Sequence, residues 1–302
     1  MAVSYQELLP VTLFKPEVLR ALKNNVGGLR NVVNNTGIIV GNEIKFPYGS
    51  TDGIAKEVNP GSPVVPDPLI ATRATAAITP YEASTQVFQQ DLNASNSAAE
   101  IRAMAAEKVA GSAENRFAKT ILDALAQYDT TEMELGDSDT PFDVDAMIEL
   151  DVQATRHHWG SAGRYLLLPP QAKQALMKDE KFFKIWSIYQ GERVTGNATK
   201  TSDNDNAINW VPYMGWNVAF MGVEGDNGAL VGLPTAEDTS VMGYAWLKNG
   251  VGFGMNSGVE VSVDRMPQLE GTPLLFKANS SCGAVIIDTN RVFGIKISPT
   301  YA

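Results

Sequence analysis

This 302-residue sequence has little of what chemistry on substrates needs: one cysteine, Cys282, and two histidines, the adjacent pair His157 and His158. One cysteine excludes an intrachain disulfide and any cysteine-cluster metal site, fits a reducing compartment, and reads as a small residue filling a strand. Neighbouring histidines on a helix point about 100° apart and cannot chelate one ion as an i, i+4 pair does. Followed by Trp159-Gly160, they read instead as a helix end, where the macrodipole favours them. Basic charge is also short, with 24 Lys and Arg against 34 Asp and Glu, a net charge of -10. A broad phosphate-gripping face is therefore not expected. No run approaches the ~18 apolar residues of a membrane span, and the first residues, MAVSYQELLPVTLFKP, lack the pattern of a signal peptide. Membrane insertion and secretion are not expected.

What is present is a globular composition, 44% hydrophobic and 19% charged, enough for one large domain or two smaller ones. Residues 5–24 read as an N-terminal arm with a short helix, PEVLRALKNN, in which Pro16 suits the first turn and Val18, Leu19 and Leu22 share a face. That helix should stop near Gly27-Gly28. From Ile38 to Thr79 the sequence predicts an extended two-stranded arm. Ile44 and Phe46 alternate with Glu43 and Lys45 on the way out, and Thr72, Ala74, Ala76 and Ile78 mark the way back. The tip, NPGSPVVPDP at 59–68, carries four prolines, which remove ladder donors and hold the chain extended. Ordering about 40 residues costs on the order of 40–80 kcal/mol of backbone entropy, and a lone hairpin is marginal in water. A second surface must help to order the arm, either on its own chain or on another.

A capping box, Ser97 and Glu100, opens a helix predicted to run to about Tyr128. Its apolar residues Ile101, Ala105, Val109, Ala113, Phe117, Ile121 and Leu125 recur every fourth position, a ladder that winds around the helix so that its two ends bury different faces. Ala99, Ala103, Ala106, Ala110 and Gly111 permit close approach from another side. The segment PFDVDAMIELDVQATRHHW predicts a helix with Val144, Ile148 and Val152 inward; GRYLLL predicts a buried strand, and PPQAKQALMKDEKF a helix with a proline in its first turn. Strands are expected at WNVAFMGV, ALVGL, SVMGYAWL, VEVSVD and PLLFKA, and a hairpin at GAVIIDTNRVFGIKI turning on Asp288-Thr289-Asn290. Between them, 191–209 is rich in Gly, Thr, Asn and Asp and predicts an exposed, mobile loop. The order of elements argues for an α+β fold.

The search for a reactive site ends quickly. No G-x-S-x-G elbow occurs. Asp143, Asp145, Glu149 and Asp151 suit the first turns and solvated face of a helix. The glycine run NGVGFGMNSG at 249–258 is not followed by a helical pattern, as a phosphate cradle requires, and DNDN at 203–206 lacks the closing glutamate of a calcium loop. Neither a catalytic residue nor a cofactor or metal ligand is assigned.

Taken together, the proline-tipped arm, the helix opened by QVFQQDLNASNSAAEIRAMAAEKVAGSAENRFAKTIL, the strand-proline-helix segment at 164–183, and the D-R-x-P segment at 264–267 leading into the last strands resemble a tailed-bacteriophage major capsid protein of the Hong Kong 97 type. The resemblance covers nearly the whole chain. It implies an α+β fold with an N-terminal arm at 1–37 and an extended β-hairpin, the E-loop, at 38–80. A peripheral domain would hold 81–140 and 261–302, with its spine helix at 97–128, and an axial domain would hold 141–260. By the same resemblance the E-loop lies over a neighbouring subunit. The expected inter-subunit residues are Phe14, Leu19, Ile44, Phe46, Tyr48, Lys56, Pro60, Pro63, Pro66 and Arg73, and the spine is carried by Ile101, Val109, Phe117, Ile121 and Leu125.

Implied partners are other copies of the chain as hexamers and pentamers, a scaffolding protein, a portal, a decoration protein, and packaged double-stranded DNA held without sequence-specific contacts. No long helical extension precedes the arm, so the scaffold is expected to be a separate chain. The expected place is the virion, after assembly in the host cytoplasm. The alternatives are an encapsulin-type cellular compartment, a phage tail or decoration component, and an enzyme.

Overall fold

The computed structural model describes residue 18 and residues 28–49, 71–88, 98–194, 208, 210–226, 231–256, 259–266 and 273–299. Two sheets share one apolar core. The first is antiparallel and centred on β12 (Leu274–Ile286), which pairs along one side with β4 (Thr79–Val87) and along the other with β10 (Val251–Met255) and β11 (Glu260–Arg265). Along β12 the residues Leu274, Phe276, Ala278, Ser280 and Cys282 point inward at the two-residue period of a strand. The sequence reading divided this strand in two at ANSSCG. The structure continues it, because small inward residues there match the small residues of the helix it packs against, α1 (Ala98–Leu125).

The α1 ladder is buried from Ala105 through Val109, Ala113, Phe117 and Ile121 to Leu125, while Ile101 is half-buried. Ala106 and Ala110 join it near one end, Leu122 and Ala124 near the other, as a winding stripe requires. Burying Phe117, Ile121 and Leu125 is worth about 1.5–3 kcal/mol each. Phe117 meets Phe253 of β10 edge-on at 5.9 Å, and Arg116 lies 3.9 Å over the Tyr81 ring of β4. Cys282 is buried 3.8 Å from Thr120 Oγ1, and burial pushes its thiol up, so it fills the strand as expected.

The second sheet has six strands in the order β5 (Glu134–Leu135), β13 (Val292–Ile297), β9 (Val241–Leu247), β6 (Arg164–Leu168), β8 (Trp216–Phe220) and β7 (Val211–Tyr213). Three helices cover one face: α2 (Val144–Arg156), α3 (Pro170–Met177) and α4 (Glu180–Val194). Asp143 caps α2 by accepting from the Ala146 N–H at 3.0 Å, and His157 stands at the other end of the helix. Pro170 opens α3 in its first turn. A second cap, Asp179, accepts from the Phe182 N–H at 2.7 Å and starts α4 as a separate helix. Buried Arg164 donates to the Asp151 carboxylate and to the carbonyls of Gly160 and Trp159 at 2.7 Å, tying the turn after α2 to β6.

Several expectations are corrected. The inward face of α2 is Met147, Leu150 and Ala154, whereas Ile148 and Val152 are 45% and 46% exposed. GAVIIDTNRVFGIKI is not a paired hairpin: Asp288 accepts from the Asn290 N–H at 3.1 Å, and the short 3-10 turn Thr289–Arg291 carries the chain from one sheet to the other. At ALVGL, of which 231–233 are described, those residues form an isolated bridge, Leu233 to Val223, rather than a strand. Residues 191–194 continue α4, while 195–207 lie outside the described residues. β5 and β13 pair within the six-stranded sheet, and β10 pairs in the sheet that α1 covers.

Candidate inter-subunit surfaces

The arm begins as a three-stranded antiparallel sheet, β1 (Ile38–Val40), β2 (Glu43–Gly49) and β3 (Ala71–Ala77), in that order. Gly41, at φ +63°, forms the tight turn between β1 and β2. Ile44 and Phe46 on β2 and Ala76 on β3 are fully buried, packed with Ala74, Ile78, Val285 and Ile287 into a small cluster apart from the main core. The seat for this cluster explains the glycine run. On β10, Phe253 points into the main core, and Gly252 and Gly254 leave the opposite face bare. A β-carbon on Gly252 would stand 2.7 Å from the Phe46 ring, and one on Gly254 2.8 Å from Ile44 Cδ1. The alternating glycines serve close packing of the arm.

Of the expected inter-subunit residues, Ile44 and Phe46 are buried against their own chain. Tyr48 is half-buried and donates its hydroxyl to Asp288 Oδ2 at 3.0 Å, a contact that also belongs to the parent chain. Arg73 is exposed on β3, in register with Pro47. Phe14, Leu19, Lys56, Pro60, Pro63 and Pro66 lie outside the described residues, as do Ser97 of the capping box and the proline tip. Of the N-terminal helix only Val18 is described, and it is buried in the main core.

The surface that residue-by-residue reading missed is β1. Ile38, Ile39 and Val40 are 61%, 40% and 52% exposed, on an edge strand whose outer backbone groups have no strand partner among the described residues. An apolar edge of this kind invites pairing with another strand. The signal was in the sequence, because three consecutive apolar residues in a strand face both ways and one row must meet solvent or a partner. Further exposed apolar side chains stand on α2 (Ile148, Val152) and α4 (Phe183, Ile188).

Among the described residues no group of three His, Cys, Asp or Glu side chains is placed to hold a metal ion. A cavity of about 310 Å³ lies between α2 and the β5–β13 edge, lined by Asp137, Glu149 and Lys296 among others. Of these, Asp137 Oδ1 accepts from Thr140 Oγ1 and from the Asp139 and Thr140 N–H groups, and Lys296 pairs with Glu134 at 2.9 Å. No helix among the described residues is long and apolar enough to cross a membrane.

One acid does titrate near neutrality, at the join between the N-terminal segment and α1. Glu114 Oε1 lies 2.9 Å from Arg30 Nη2 without an aligned hydrogen bond, and burial, outweighing the Arg30 attraction, lifts the carboxyl from 4.5 to about 7. The folded protein therefore holds this proton more tightly than the unfolded chain does. Stability from this group is full below about 4.5 and is lost as pH rises to about 7, by up to about 3 kcal/mol. Urea unfolding of the unassembled subunit between pH 5 and 8 should show this decline, and Glu114→Gln should flatten it. Parallel profiles for the two proteins would count against a buried proton at Glu114.

Among solved structures, the fold is similar to the capsid protein of Ralstonia phage GP4, with a TM-score of 0.63 over 89% of this chain and 87% of that chain at 10% identity. It is similar to the capsid protein of cyanophage P-SCSP1u, with a TM-score of 0.56 over 89% and 87% at 10% identity. It is also similar to the virus-like particle from Pyrococcus furiosus, with a TM-score of 0.53 over 93% and 96% at 13% identity. No protein-family model matches the sequence, and no curated protein matches it. At these identities the kinship is one of fold: the chain has the α+β, Hong Kong 97-like capsid fold.

Proposed function

We propose that this chain is a shell-forming protein, the major capsid protein of a tailed phage, and that its work is mechanical rather than catalytic. The observation that carries the reading is a fold shared with phage capsid proteins over nearly nine-tenths of the chain, built with an arm whose apolar edge is left open. In this reading 38–80 is the E-loop and α1 the spine. Each copy gives its arm to a neighbour and receives one, a heterologous contact that closes into rings and then a shell. The proposed partners are hexamers and pentamers of the chain itself, a separate scaffolding protein, a portal, a decoration protein and double-stranded DNA. The net charge of -10 suits a container whose genome must slide past it, because few cations remain to bind phosphates. The particle would assemble in the host cytoplasm and persist as the virion.

A second reading, an encapsulin-type cellular compartment, draws support from the similarity to the Pyrococcus furiosus virus-like particle over 96% of that chain. Negative-stain microscopy and sedimentation of the expressed protein, alone and with a coexpressed phage scaffold, test both. Closed icosahedral particles are expected. Particles that purify with protein cargo and no genome would favour the compartment, and a chain that stays monomeric in both preparations would overturn the shell.

A further inference from the structure

We infer that the cavity between α2 and the β5–β13 edge, with the acidic surface around it, receives a basic segment of a different polypeptide, one lysine or arginine side chain of which enters the cavity. The inference goes beyond the shell reading and does not depend on it.

The charge of the chain is not spread over it. Residues 120–155, from the end of α1 to the last turn of α2, hold ten Asp and Glu and no Lys or Arg. The 24 acids that remain of the 34 match the 24 Lys and Arg, so this one segment carries the whole net charge of -10. Half-buried Glu134 and Asp151 are neutralised in place, by Lys296 and Arg164. The other eight are exposed, and none has a cationic partner among the described residues. Some of them have local work: Asp143 caps α2, Asp145 sits in its first turn where the helix dipole favours it, and Asp137 holds the loop at Thr140. Glu149 has none. It lies in mid-helix one turn after Asp145, where like charges at i, i+4 are destabilising, and its side chain has no hydrogen bond or ion pair among the described residues. A cationic guest would offset that cost.

The cavity, of about 310 Å³, lies among these acids. Asp137 and Glu149 line it, and its apolar walls are Leu135, Pro141 and Ala146 with buried Phe142 and Ile295. Lys296 also lines it, but its ammonium is held by Glu134 at 2.9 Å and Asp238 at 3.5 Å, so the uncommitted charge at the site is negative. Apolar walls beside free carboxylates fit a side chain with an aliphatic stem and a cationic head, which packs its stem and keeps its charge near the mouth. A neutral or anionic guest would leave the carboxylates uncompensated. Outside 120–155 the chain carries equal numbers of both signs, so a second copy brings no net positive charge, whereas a basic segment of another polypeptide does.

Fluorescence anisotropy of a labelled decalysine peptide, titrated with the full-length chain, tests this. Binding is expected at low salt and should weaken at about 0.15 M, where the screening length falls to about 8 Å. Glu149→Lys should weaken it about tenfold or more, and Glu149→Gln about threefold, because one close charge is reversed or removed. Glu260→Lys, on β11 of the other sheet, changes the net charge as much as Glu149→Lys but should alter affinity less than about twofold. Ala146→Leu fills the cavity without touching charge and should cost about tenfold. Circular dichroism confirms that each variant is folded. No binding, or equal losses from Glu149→Lys and Glu260→Lys, would overturn the site. Full affinity in Ala146→Leu would overturn the entry of a side chain into the cavity. Sedimentation showing self-association of the chain that Glu149→Lys abolishes would overturn the choice of guest in favour of a second copy.

Discussion

Removing residues 54–68 is expected to leave a folded, soluble subunit that builds no closed particles. Folding should survive because the base of the arm is secured on either side of the deletion. Ile44, Phe46 and Ala76 are closed against Val285 and Ile287, and β2 and β3 pair from Glu43–Ala77 out to Gly49–Ala71. Assembly should fail because the deleted segment carries all four prolines of NPGSPVVPDP, which limit the freedom the chain must give up on docking. The loss recurs at every subunit contact. Even about 3 kcal/mol per contact is more than a hundredfold in each association step, and a closed lattice multiplies such steps. Sedimentation and negative-stain microscopy of the deletion, with its circular dichroism compared with that of the full chain, give the outcome. Normal shells would refute the role of the arm, and an unfolded subunit would show that the segment serves its own chain.

Legibility in the sequence followed the strength of the local signal. The α1 ladder carries one unambiguous period, and it, the strand and proline-opened helix at 164–177 and the near-continuous apolar strand at Val241–Leu247 appear in the structure. Where two periods competed, the reading failed. On α2 the stripe Val144, Ile148, Val152 and the stripe Met147, Leu150, Ala154 are both helical, and only the sheet beneath decides which is buried. Non-local pairing defeated it again at GAVII and RVFGIKI. They are adjacent in sequence and look like a hairpin, yet join different sheets, because Asp288 turns the chain out of the first layer. At the candidate surfaces the arm was legible as an object, but not its division of labour. The alternation on β2 was legible, but the groove that receives Ile44 and Phe46 on the parent chain is made of glycines, and absent side chains leave no hydrophobic pattern to read.

That division of labour makes Phe46→Ala the sharpest test within a single subunit. Truncating a buried phenylalanine costs about 3–5 kcal/mol, from lost transfer energy and the cavity left behind. In the main core such a loss would be shared by the whole molecule. Phe46 instead belongs to a cluster of three buried residues, Ile44, Phe46 and Ala76, set apart from the core that holds Phe117 and Trp246. The cost should therefore appear as local opening. Amide hydrogen exchange is expected to rise about a hundredfold or more across Glu43–Gly49 and Ala71–Ala77, while α1 and β9 keep their protection. Phe46→Leu, which retains most of the volume, should fall between the two. The same Phe46→Ala subunit should assemble poorly although every residue of the exposed β1 edge is intact, because an arm that no longer holds its direction cannot present Ile38, Ile39 and Val40 to a neighbour. If exchange rose equally throughout the molecule, the cluster would be part of the global core. If assembly were unaffected while β2 and β3 opened, the arm would not need to be aimed by its own subunit.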